Sequence, residues 1–310
     1  MLRLVSWNVR YFAHATRGIT SLDGTLRRIA AALADMDPQP DVIALQEIDD
    51  VSVRSVVGRA RGRKKRGEHV SNFDRFVDQL NNRSLDRGGH HYQAQFYPAQ
   101  GHTRAYPLYS TGLAILHRST LARLDHNGHE PLDITHRRIA RLAKMKQKRI
   151  CAWSRFRTEQ NEIFDVFNTH LSLPAFLQRT TGGRFGESDN QLSEIDSVLA
   201  CVDDCGHANN ALLVGDFNAI PGSRVYNRVL ETSSMRDAHA TWLGAEPPQM
   251  MKMPSAGFMN LRYRLDHIFS GPQVEFHDFH ATSPYGKAHP WQALSDHAPL
   301  VGRFTLRSTD

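Results

Sequence analysis

The sequence predicts an α/β fold, and three observations carry the prediction. The chain opens strand–helix–strand: apolar runs at Leu2 to Val5 and Val42 to Leu45 flank a segment with helical spacing. A second helical segment, 189–202, is followed directly by the run Ala211-Leu212-Leu213-Val214. That run then breaks into Gly215-Asp216-Phe217-Asn218 and closes on Pro221-Gly222, the pattern of a buried strand ending in a turn. If the chain stays extended there, Asp216 and Asn218 project together, since residues two apart share a strand face. An ordinary strand-to-turn junction would use the same residue types, so the partners elsewhere in the chain decide the matter.

In chain order, the first strand runs into Trp7-Asn8-Val9-Arg10. Leu22, Leu26, Ile29, Ala30 and Leu33 then recur at the helical period from about Ser21 to Met36, and Asp37-Pro38-Gln39-Pro40 stops that helix. The run 41–47 is a short buried strand ending on Glu47, which puts Asn8 and Glu47 at one end of a shared sheet. Arg54 to Arg66 carries six cations after residue 58 with no acidic residue, is interrupted by Gly58 and Gly62 and is followed by Gly67, so it reads as a basic loop inserted at about 54–70. A short helix is expected at 72–80, a strand at 111–116 and a second basic segment at 136–149. Residues 155–156 and 163–170 read as a strand pair ending on His170. A Gly-rich loop follows at 180–188. After the strand at 211 a short helix is expected at 224–230, then mostly irregular chain until Arg264 to Phe269. The final segment, Leu294 to Val301, leads into a strand at 302–306. No repeat, low-complexity tract or linker divides the chain, so one domain over 1–310 is expected.

Composition narrows the function class. The chain has 310 residues, 40% hydrophobic and 23% charged, enough apolar material for a sizeable core. No run approaches the ~20 apolar residues that span a bilayer, and the N-terminus reads as a strand rather than a signal peptide. A cytoplasmic protein without stable membrane insertion is therefore expected, with no obligate protein partner indicated. The three cysteines, Cys151, Cys201 and Cys205, suit a reducing compartment and a structural role. Net charge is +6, which favours polyanionic partners such as nucleic acid or an anionic membrane surface.

Polar groups recur at the ends of apolar runs: Asn8, Glu47, His170, Asp216 with Asn218, Asp266, and Asp296 with His297. Carboxylate, amide and imidazole groups in such a set suit phosphate-ester hydrolysis assisted by a hard divalent ion, Mg²⁺ or Mn²⁺. Each has a plainer reading: Glu47 as a surface residue, Asp266 and Asp296 as turn residues, His170 as a structural histidine.

The motifs Ser6-Trp7-Asn8, Gln46-Glu47, Thr169-His170-Leu171, Gly215-Asp216-Phe217-Asn218, Arg264-Leu265-Asp266 and Ser295-Asp296-His297 occur in the order seen in the endonuclease/exonuclease/phosphatase superfamily. The chain resembles that superfamily from Leu2 to about Phe304. The resemblance implies a DNase I-like four-layer α/β/β/α sandwich of two mainly antiparallel sheets flanked by helices. It also implies Glu47 as the principal metal carboxylate with Asn8, and Asp296 near the metal. By the same resemblance Asp216 orients and deprotonates the attacking water, Asn218 holds phosphate or nucleophile, and His170 contacts a non-bridging oxygen. His297 contacts the phosphate and is oriented and kept cationic by Asp266. Arg10 stands where apurinic-site endonucleases carry Asp, which argues against that branch; a cation there would change the metal environment or reach for the substrate. The inositol-polyphosphate phosphatase blocks are missing too. Tyr109 precedes a strand where some relatives place an active-site tyrosine. His267 has no account at this level.

Three functions follow. A phosphodiesterase acting on nucleic acid would use Arg63, Lys64, Lys65 and Arg66, together with 137–149, to track a phosphate backbone; the same charges could equally be a solvated face. A phospholipid (sphingomyelinase-like) or small-metabolite enzyme is the alternative, with Pro247 to Phe258 and its methionines as the candidate membrane contact. A non-catalytic binding protein has no physical need for the full set of carboxylates and histidines.

Overall fold

The computed structural model describes residues 1–12, 22–51, 71–100, 110–136, 148–174, 184–258, 260–287, 289 and 291–307. The strands are β1 (Leu2–Asn8), β2 (Val42–Val51), β3 (Tyr92–Gln100), β4 (Ser110–Arg118), β5 (Ala122–His126), β6 (Leu132–Asp133), β7 (Ile150–Arg157), β8 (Ile163–His170), β9 (Ala211–Asp216), β10 (Arg236–Asp237), β11 (Ala256–Phe258), β12 (Leu261–Tyr263), β13 (Asp266–Ser270), β14 (Val274–Asp278) and β15 (Leu300–Leu306). The helices are α1 (Leu22–Ala34), α2 (Asn72–Asp86), α3 (Asp189–Asp204), α4 (Arg224–Thr232), α5 (Ala238–Leu243) and α6 (Pro247–Met250).

Two sheets carry the fold, in the orders β14-β15-β1-β2-β4-β3 and β10-β13-β9-β8-β7-β5, with β6 beside β7. Each contains one parallel pair, β1 with β2 and β8 with β9; the remaining pairings are antiparallel. A parallel pair needs a crossover connection, and α1 and α3 lie within those two crossovers.

Alternation along the strands builds the layers. Leu4, Val42, Ala44 and Ile115 of the first sheet face Ala152, Val166, Leu212 and Val214 of the second, forming the core between sheets. Their neighbours Val5, Trp7, Ile43 and Leu45 face outward, where Leu26, Ile29 and Leu33 of α1 and Phe73, Phe76 and Leu80 of α2 cover them. On the other side Phe167, Leu213 and Phe269 are covered by Ile195, Val198 and Val202 of α3 and Val225 and Val229 of α4. The expected four-layer sandwich is therefore present.

The parallel pairs also explain why central strands read as unbroken apolar runs: both faces are buried. Asn8 and Gln46 are register partners at the end of the first pair, as the strand–helix–strand opening predicts. Residues 155–156 and 163–170 pair as expected.

Three expectations are corrected. The strand through Glu47 does not end there; β2 continues to Val51, with its register to β4 shifting between Leu45 and Ile48. Glu47 sits in that irregularity at φ 54°, so a bulge turns its carboxylate. The helix starting at 72 runs on to Asp86, launched by a capping box in which Asp74 N donates to Ser71 Oγ at 2.9 Å. Residues 233–263 are not mostly irregular: they hold β10, α5, α6 and the hairpin β11–β12. Arg63, Lys64, Lys65, Arg66 and Tyr109 lie outside the described residues, as do 137–147 of the second basic segment and 175–183 of the Gly-rich stretch. Among the described residues no helix is long and apolar enough to cross a membrane.

Candidate active site

The carboxyl ends of the two parallel pairs meet. Asn8 ends β1, Glu47 bulges from β2, His170 ends β8 and Asp216 ends β9. Register fixes the second pair, with His170 opposite Asp216, and Asp266 opens β13 opposite Asp216 on its other side.

Gly215 makes the last step possible. A Cβ there would lie 2.0 Å from the Thr169 carbonyl oxygen, and its φ is 140°, so only glycine lets β9 approach β8 this closely beside Asp216.

Asp216 is the hub. Its Oδ2 accepts from Asn8 Nδ2 at 3.0 Å and lies 3.6 Å from His170 Nε2 and 3.7 Å from His297 Nε2. Its Oδ1 accepts from Asn218 N at 2.9 Å. Asn218 is not extended, as an i, i+2 pairing requires; it sits at φ 47° and its Nδ2 donates to Leu171 O at 2.9 Å. A local side-chain-to-backbone turn brings it beside Asp216 instead.

Asp296 and His297 reach the site from an irregular segment rather than a strand. Trp7 Nε1 donates to His297 O at 2.9 Å, Ser295 Oγ to Asn8 O at 2.7 Å, and Gly257 N to Asp296 O at 2.9 Å. Asp266 Oδ2 lies 2.8 Å from His297 Nδ1 and accepts from Ser255 Oγ at 2.6 Å. Arg10 Nη1 pairs with Asp296 Oδ2 at 2.8 Å at the rim of the site. On the other flank, Glu47 Oε1 accepts from Asn8 Nδ2 at 3.2 Å and lies 3.7 Å from His170 Nε2.

The electrostatics separate the two imidazoles. Burial opposes charge on His297, but Asp266 and Asp216 outweigh it and raise its pKa. His170 has no such balance: burial, with Arg149 and His297 nearby, holds it well below the ordinary value and so neutral. Burial also raises Glu47 and Asp216.

Asp216, Asp266 and His297 offer ligand atoms close enough together for one ion. The Asp266 carboxylate and His297 Nδ1 already bond each other, however, and Ser255 takes the same Asp266 oxygen. Glu47 is the better anchor: its partly buried carboxylate has only a neutral amide as hydrogen-bond partner, and the oxygen donors of Glu47, Asn8 and Asp216 suit a hard divalent cation.

Sequence reasoning missed Ser255, which also accepts from Leu265 N and Asp266 N, each at 3.0 Å. Nothing in its neighbourhood signals it, because Ser255 lies in a Met-rich stretch that shows no period. The structure accounts for His267: fully buried, its Nε2 bonds Ala219 O at 2.8 Å while Nδ1 lies 3.5 Å from Asp237. It pins the turn that follows Asp216.

The sequence profile of the Endonuclease/Exonuclease/phosphatase family matches residues 5–297. No curated protein matches the chain. Among solved structures, the endonuclease/exonuclease/phosphatase from Bacteroides vulgatus is similar at 16% identity and TM-score 0.63, covering 99% of each chain. The mannosyl-6-phosphatase Bt3783 of Bacteroides thetaiotaomicron VPI-5482 is similar at 14% identity and TM-score 0.58, over 99% of this chain and 100% of that one. ANGEL2, a 2′,3′-cyclic phosphatase solved with adenosine-2′,3′-vanadate, is similar at 15% identity and TM-score 0.60, over 99% of this chain and 96% of that one. At such identities the likeness to these structures shows a common fold. The profile match over nearly the whole chain shows more: the protein belongs to the endonuclease/exonuclease/phosphatase family of divalent-metal-dependent phosphoric ester hydrolases.

Proposed function

We propose that the protein is a phosphodiesterase, using Mg²⁺ or Mn²⁺, that cuts nucleic-acid-type diesters by in-line attack of water. The observation that carries this reading is the convergence of Asn8, His170 and His297 on one oxygen of Asp216, with Asp266 behind His297.

Glu47 and Asn8 would hold the ion, with Asp296 beside them and partly neutralised by Arg10. When bound, the ion supplies Lewis-acid polarisation of a phosphoryl oxygen. Asp216, its carboxyl raised by burial, accepts the proton of the attacking water. His297 donates Nε2–H to a phosphate oxygen, and the Asp266 carboxylate both aims the ring and stabilises its charge. His170, neutral, offers a second N–H. Asn218 keeps one amide N–H for the phosphate after its bond to Leu171 O.

The net charge of +6 suits a polyanionic substrate. In the methionine-rich stretch Met250 is fully buried and Met251 is exposed, so a single methionine rather than an apolar face is offered outward. The likeness to a mannosyl-6-phosphatase supports a monoester as the second reading.

The test is Mg²⁺- or Mn²⁺-dependent hydrolysis of bis-p-nitrophenyl phosphate against p-nitrophenyl phosphate, followed by DNA, RNA and sphingomyelin. The diester should be cut faster, and Glu47→Gln or His297→Ala should lower the rate by roughly 10²-fold or more while leaving the melting curve in place. Faster monoester hydrolysis would move the assignment to small metabolites. Rates indifferent to both substitutions would falsify the site.

A further inference from the structure

Arg10 holds two of the groups expected around the metal. Its backbone N–H donates to Asn8 Oδ1 at 3.0 Å, and its Nη1 lies 2.8 Å from Asp296 Oδ2. The other carboxylate oxygen of Asp296, Oδ1, accepts from Ser295 Oγ at 3.4 Å, and its backbone carbonyl accepts from Gly257 N at 2.9 Å. Both side-chain oxygens of Asp296 are thus matched by groups of the chain itself, and one of those groups is a cation.

The backbone commits Arg10 to this place. Arg10, Tyr11 and Phe12 all lie in the left-handed region, at φ 46°, 54° and 54°. Residues with a side chain adopt that conformation at a cost and seldom in succession. The turn is anchored by Phe12, which is fully buried, donates its N–H to Val9 O at 3.0 Å and packs its ring 5.3 Å from that of Phe76. Strain kept beside a site is explained by what it positions, and what this turn positions is the guanidinium on Asp296.

An exposed ion pair contributes little when two long side chains must be ordered to form it. Here the Asp296 side chain is 19% exposed and the backbones on both sides are already fixed, so little ordering is left to do. The guanidinium also keeps its charge at every pH the fold survives. Glu47 stands on the opposite flank, with Asn8 Nδ2 at 3.2 Å. One or two carboxylates suffice for Mg²⁺, whose remaining ligands are waters and substrate phosphate. The Glu47 flank therefore does not need Asp296.

We propose that Arg10 is the resident cation of Asp296: Asp296 seats Arg10 instead of ligating the metal, and the divalent ion is held from the Glu47 side. This rests on the reading above for the place of the ion at Glu47.

The test measures Mn²⁺ binding to the full chain without substrate, from the electron paramagnetic resonance signal of free Mn²⁺. Wild type is compared with Arg10→Ala, Arg10→Lys and the double variant Arg10→Ala/Asp296→Asn. The double variant removes a positive and a negative charge together, so the net charge of the site is kept while the Asp296 carboxylate is lost. It should bind Mn²⁺ within about twofold of wild type, and Arg10→Lys should do the same. Arg10→Ala releases Asp296 to the metal and should bind about tenfold tighter. A double variant about tenfold weaker than wild type makes Asp296 a metal ligand and overturns the proposal. So does an Arg10→Ala variant no tighter than wild type. Melting curves in EDTA check that each variant is folded, and Arg10→Gln/Asp296→Asn, closer in length, repeats the comparison if the alanine variants are not. Glu47→Gln answers a separate question: undiminished Mn²⁺ binding there would move the anchor, while the double variant still decides whether Asp296 ligates the ion.

Discussion

Asp266 Oδ2 stands 2.8 Å from His297 Nδ1, and the opposite ring nitrogen of His297 is turned to Asp216. This carboxylate holds the imidazole in orientation and in charge together. Asp266→Asn keeps the shape but removes the charge that offsets burial, so the pKa of His297 should fall. The alkaline limb of the pH–rate profile should move down by a unit or more, and kcat should drop by roughly 10²-fold with a smaller change in KM. An unmoved alkaline limb would show that His297 does not act as the cationic donor.

Metal binding should be visible without turnover. An ion that binds only the folded protein stabilises it by RT ln(1 + [L]/Kd), so saturating Mg²⁺ or Mn²⁺ should raise the melting temperature of wild type. Glu47→Gln removes the carboxylate that the ion would compensate and should abolish most of that rise. The variant should also melt no lower than wild type without metal, because a partly buried carboxylate whose ionisation burial opposes is replaced by a neutral amide. A full metal-induced rise in Glu47→Gln would place the ion elsewhere.

How far the sequence foretells this molecule depends on burial. β1, β2, β8 and β9 stand in the middle of their sheets with both faces covered, so they read as apolar runs and their polar ends stood out. The strands that escaped notice include all four sheet edges, β3, β5, β10 and β14. Edge strands carry polar or exposed residues, such as the alternating Tyr92-Gln93-Ala94-Gln95-Phe96 of β3, and so do not read as apolar runs. The same logic governs the site. Asn8, Glu47, His170, Asp216, Asp266 and His297 were legible because they interrupt or border apolar runs. Ser255 was not, because its value comes from folding the β11–β12 hairpin against Asp266, with no local pattern to betray it.

Between the sheets, Gln46 Nε2 donates to Asn168 Oδ1 at 2.8 Å, and Asn168 Nδ2 donates to the carbonyls of Leu45 and Ala114 at 3.0 and 3.1 Å. This bridge clamps the two sheets one residue from Glu47. Asn168→Ala leaves several buried groups unsatisfied, each costing about 1–3 kcal/mol. Denaturant unfolding should show a loss in that range or above. A change under about 0.5 kcal/mol, the level of an ordinary surface substitution, would mean that the bridge holds nothing.

Acid should destabilise the fold through histidines remote from the chemistry. His117 is fully buried, its Nδ1–H donates to Arg118 O at 3.1 Å, and its ring packs 5.0 Å from that of Phe156. Burial lowers its pKa to about 4, and burial with the Arg264 charge lowers that of His239 to about 3. Both rings are therefore neutral in the folded protein near pH 6, whereas in the unfolded chain they take up protons below pH ~6.5. Because the unfolded state then binds more protons, stability is full above pH ~6.5 and falls as pH drops toward about 4. Each histidine adds a slope of about 1.4 kcal/mol per pH unit and a total of order 3 kcal/mol. His117→Gln keeps a donor for Arg118 O and cannot take up a proton. Its stability measured by urea unfolding should fall less steeply between pH 6 and 4.5, by about one proton's worth of slope. If wild type and His117→Gln show the same slope, His117 is already protonated in the folded protein and its burial does not exclude charge.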